Sequence, residues 1–73
     1  MSKQGKGSKQ AIWSDPEWYA VDSALEFLNG WATIDRIASE SNTRPNITKA
    51  ILEEMASIPS GVIRKGKKYR YAE

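Results

Sequence analysis

The chain has 73 residues, no cysteine and no histidine, with eleven basic and nine acidic residues giving a net charge of +2. A chain of this length supports one small domain that buries roughly 60% of the surface its unfolded form exposes. The missing residue types exclude disulfides, thiolate zinc sites and catalysis by cysteine or histidine, and the absence of a long apolar run leads us to expect a soluble protein with no membrane partner.

Residues 1–12 carry Lys3, Lys6 and Lys9 among Gly, Ser and Gln, with no acid. With so little apolar surface to offset the entropy of ordering, this stretch is expected to be a flexible basic arm ahead of one domain spanning 13–73. "WSDPEW" then reads as a helix start, with Ser14 as N-cap, Pro16 in the first turn and Glu17 closing a capping box. Trp13 and Trp18 take the two positions of a hydrophobic staple around that cap. Trp18, Val21, Leu25 and Leu28, widened by Ala24 and Phe27, predict the buried stripe of a helix over 15–29, stopped by Asn29 and Gly30. Its outer face carries Asp22 and Glu26 and suits phosphate poorly.

"WAT" at 31–33 is a brief strand or an extended link. Thr33 then caps a short second helix whose Ile34, Ile37 and Ala38 face inward and which ends near Ser41. Pro45 disfavours helix at Arg44 and suits the first turn of the next helix, so "SNTRPN" is a turn. A third helix is expected over 45–57, with Ile47, Ile51, Met55 and Ile58 inward beside Ala50. Asn46, Lys49 and Glu53 face outward, and Thr48 and Leu52 lie on a flank, where Leu52 is either packed or part of a partner surface.

From Gly61 the apolar period changes from about 3.6 to 2, the repeat of a strand. In "GVIRKGKKYRYAE" an odd-length loop at Lys65, Gly66 and Lys67 predicts a hairpin with Ile63, Tyr69 and Tyr71 on one face and Arg64, Lys68 and Arg70 on the other. Residues 61–73 carry five basic residues against one acidic, whereas 13–60 carry three against eight. The ends are basic and the middle is acidic, a pattern that speaks of partners rather than fold.

The order helix, short strand or link, short helix, turn, helix, basic hairpin resembles a winged helix-turn-helix domain. "ATIDRIASESNTRPNITKAILEEM" carries the likeness to the helix-turn-helix and "GVIRKGKKYRYAE" the likeness to the wing. The expected fold class is therefore α+β, three helices followed by a C-terminal β-hairpin. The resemblance implies double-stranded DNA as partner, with helix three in the major groove and the wing on adjacent backbone. By position it implies nucleic-acid contacts from Thr43, Arg44, Asn46, Thr48 and Lys49 and from Arg64, Lys65, Lys67, Lys68 and Arg70.

The resulting expectation is a small DNA-binding protein, a transcriptional regulator or DNA-processing accessory factor of the phage or mobile-element type. It would be cytoplasmic, and nucleoid-associated if prokaryotic. Two alternatives stay open: a protein-interaction module for a polymerase or other partner, or a second copy of itself, and a binder of single-stranded nucleic acid or RNA through Lys68, Tyr69, Arg70 and Tyr71. The three tryptophans are assigned to packing, while Tyr69 and Tyr71 either cover the core or stack on bases. No glycine-rich phosphate loop or metal constellation occurs, so no cofactor, small-molecule substrate or enzymatic activity is expected.

Overall fold

The computed structural model describes residues 12–72, which form three helices and one three-stranded antiparallel sheet. Apart from exposed Ile12, the expected basic arm lies outside the described residues, as does Glu73. In chain order the elements are α1 (Asp15–Leu28), β1 (Ala32–Thr33), α2 (Ile34–Ser41), α3 (Pro45–Ser57), β2 (Val62–Lys65) and β3 (Lys68–Tyr71).

The local signals at the helix ends act as the residue types dictate. Ser14 Oγ accepts from the Glu17 amide while Glu17 accepts from the Ser14 amide at 2.8 Å, so two otherwise unpaired donors of α1 are satisfied together. Across this cap the Trp13 and Trp18 rings lie 5.7 Å apart between centroids. Asn29 and Asn42 close α1 and α2 in the left-handed conformation, at φ 49° and 55°. Thr33 Oγ1 accepts from the Arg36 amide at 3.2 Å and starts α2. No helix among the described residues is long and apolar enough to cross a membrane.

The core lies where the three helices meet the sheet. Val21 and Leu25 of α1, Ile37 of α2 and Ile51, Leu52 and Met55 of α3 are buried there with Val62 and Tyr69 from the sheet. Each of the aliphatic side chains contributes about 1.5–3 kcal/mol by leaving water. Leu52 is packed rather than available to a partner. Phe27 and Ile58, expected inward, are 73% and 40% exposed. Phe27 lies beyond the arc of α1 that α2, α3 and β3 cover, and Ile58 falls after the last turn of α3.

"WAT" resolves as a strand: Ala32 pairs with Tyr69 and Thr33 with Lys68, giving the sheet order β1-β3-β2. The hairpin register corrects the odd-loop expectation. Val62 pairs with Tyr71, Ile63 with Arg70, Arg64 with Tyr69 and Lys65 with Lys68, leaving a two-residue turn of Gly66 and Lys67. Gly66, at φ 62°, takes the first turn position, which demands a positive φ that glycine adopts without penalty. Opposed residues share a face, so Val62, Arg64, Tyr69 and Tyr71 face the helices while Ile63, Lys65, Lys68 and Arg70 face away. Val62 therefore supplies the buried aliphatic expected of Ile63, and Arg64 and Ile63 exchange sides.

Candidate nucleic-acid interface

The exposed side of α3, the start of α2 and the tip of the hairpin border one open cleft of about 650 Å³. Pro45, Asn46, Lys49 and Glu53 form its α3 wall and Arg64, Gly66, Lys67 and Tyr69 its hairpin wall, with Thr33, Ile34 and Asp35 from the start of α2. The spacing of Asn46, Lys49 and Glu53 at three and four residues puts all of them on one helix face. Pro45 opens that helix in its first turn, and Arg44 is its N-cap without a side-chain bond to the helix.

Arg64 reaches the cleft because the hairpin register turns it toward the helices. Its Nε donates to the Gly66 carbonyl at 2.8 Å, which holds the guanidinium against the turn. Its cross-strand partner Tyr69 is 2% exposed. Burial raises the Tyr69 phenol above its ordinary 10.0, with Arg64 opposing that shift and Glu53 adding to it. The phenol is thus neutral at physiological pH and lines the cleft as an uncharged group. Three cations, Lys49, Arg64 and Lys67, share the cleft with two carboxylates, Asp35 and Glu53.

The ten residues expected to touch nucleic acid divide into four groups. Asn46, Lys49, Arg64 and Lys67 come together in the cleft. Thr43 and Arg44 line a neighbouring shallow depression with Asp35, Ser39 and Asn42, and Thr43 Oγ1 donates to the Ser41 carbonyl at 3.2 Å. Lys65, Lys68 and Arg70 stand on the far face of the sheet. Thr48 is a correction: it is fully buried, and its hydroxyl donates to the Arg44 carbonyl at 2.9 Å, so it cannot meet a ligand.

Tyr69 and Tyr71 pack against the core, which removes them as stacking surfaces. The exposed aromatic near the basic cluster is instead Trp31, 39% exposed, with the Arg70 guanidinium carbon 5.7 Å from its ring centre. Sequence reasoning assigned Trp31 to the core; the signal that could have placed it outside is the neighbouring Ala32, since successive residues of a strand alternate faces.

No protein-family model, curated protein or solved structure matches the chain.

Proposed function

We propose that the protein is a winged-helix DNA-binding module in which α3 enters the major groove and the β2–β3 hairpin acts as the wing on the adjacent backbone. The observation that carries this reading is the cleft itself, whose α3 wall and hairpin wall both present cations to one open groove. Lys49, Arg64 and Lys67 neutralise phosphates there, and Arg44 adds a contact from the start of α3. Asn46 pairs with adenine or bonds a phosphate oxygen, as its amide permits. Glu53 and Asp35 repel phosphate and favour amino donors such as cytosine N4, so they restrict where the backbone can lie. A role as a transcriptional regulator or DNA-processing accessory factor in the cytoplasm fits a module of this size.

Anisotropy of a labelled blunt duplex across a salt series tests the reading. The log-log slope should fall by about 0.9 for each phosphate contact removed, hence by about 1.8 in Arg64→Ala/Lys67→Ala. Absence of salt-sensitive binding at low ionic strength, or an unchanged slope in the double variant, would sink it. The exposed Tyr19 and Phe27 on acidic α1 would then favour a protein-interaction module.

A further inference from the structure

The duplex reading leaves three of the expected cations, Lys65, Lys68 and Arg70, on the outer face of the sheet. The register places them in two cross-strand rows. Thr33, Lys68 and Lys65 form one. In the other, Ile63 pairs with Arg70, and Trp31, one residue ahead of β1, extends the row on the far side. Trp31 and Ile63 are 39% and 42% exposed, so the face combines apolar surface with three positive charges. Among the described residues no acidic one holds a register position on it.

We infer that this outer face binds single-stranded nucleic acid, stacking an unpaired base on Trp31 and holding the strand's phosphates with Lys65, Lys68 and Arg70. Charge selects a polyanion, and the indole selects its kind. A duplex keeps its bases stacked on one another, so a protein ring on a flat surface meets a base face only where a nucleotide is unpaired. The Arg70 Nε donates to the Tyr71 carbonyl at 3.1 Å, which fixes the guanidinium beside the indole. Arg70 takes one face of the ring and leaves the exposed indole surface to a base, in the cation-backed arrangement that strengthens stacking. Lys68 and Arg70 lie two residues apart on β3, about 7 Å along the strand, a step suited to successive phosphates of an extended chain. The site goes beyond the duplex reading and uses none of its cations; Thr33 borders both faces. With both in use, one molecule engages duplex through its cleft and an unpaired flank through the back of its sheet.

The test is anisotropy of a labelled oligothymidylate, with the blunt duplex measured in parallel so that the two readings fail separately. Trp31→Ala should weaken oligothymidylate binding by about 5- to 150-fold, the range for losing one base–aromatic stack. Trp31→Phe keeps a ring and should stay within about fivefold of wild type. Lys65→Ala/Lys68→Ala, two fully surface changes, should lower the single-strand salt slope by about 1.4. Neither the Trp31 changes nor the lysine pair should alter blunt-duplex affinity. The inference is overturned if oligothymidylate does not bind, if the lysine pair leaves its binding unchanged, or if Trp31→Phe loses as much as Trp31→Ala in folded protein. Equal competition by polyglutamate would also overturn it, pointing to an acidic protein partner instead.

Discussion

Asp22 sits half-buried on α1, and that burial, followed by the Glu26 carboxylate one turn on, raises its pKa above the ordinary 3.8. The folded protein therefore binds this proton more tightly than the unfolded chain, and stability falls as pH rises from about 3.8 through the folded value. Asp22→Asn removes that loss. The variant should be more stable at pH 7, relief of the Glu26 repulsion alone contributing about 0.2–0.5 kcal/mol, and match wild type near pH 3. Thermal melts at both pH values decide it, since an equal gain at each would show that charge is not the cause. Thr48 shows where residue-level reading stops. It and Leu52 stand one turn apart on the same flank of α3, and both are fully buried. Periodicity along one helix locates its apolar stripe, but the width of the covered arc depends on how many neighbours pack on it. Here α1, α2 and β2 all touch α3, so the flank closes over.

At the scale of elements, capping chemistry made the three helices legible to within a residue, because Ser14, Thr33, Asn29 and Pro45 each act on backbone groups close by in the chain. The hairpin was legible as a hairpin while its register was not. Both Val62 and Ile63 are apolar, so alternation alone admits either face; the turn decides, and Gly66 as first residue of a two-residue turn sets the pairing. The same single-residue shift moved Arg64 into the cleft and Ile63 onto the outer face, across Arg70 from Trp31, which is why the make-up of both candidate faces was hidden in the sequence. A Cβ added at Gly66 would meet no heavy atom within 4 Å, so the cost of replacing this glycine comes from its backbone conformation. Gly66→Ala should therefore destabilise the protein by about 1–2 kcal/mol in urea denaturation. D-alanine at the same position, introduced by chemical synthesis, should restore wild-type stability; if it is as damaging as L-alanine, the positive φ is not the reason for glycine.

Across the whole molecule, seven of the eight described cations lie on the hairpin or in α3 and its N-cap, with Arg36 on α2 the eighth, while α1 carries Asp15, Glu17, Asp22 and Glu26 and no base. Such a polarised molecule approaches a polyanion with its hairpin foremost and α1 turned away. The sheet adds a second form of whole-chain dependence, because β3, the last strand in sequence, lies between β1 and β2. A chain cut after Lys67 loses the partner of both other strands together with buried Tyr69, and should show no cooperative thermal transition; a sharp transition there would mean that the helices stand alone. During synthesis β1 leaves the ribosome some thirty-five residues ahead of its partner, and β2 also emerges unpaired. The nascent chain thus carries three helices with an open core until β3 emerges, and closure of the core and assembly of both basic faces happen as one event.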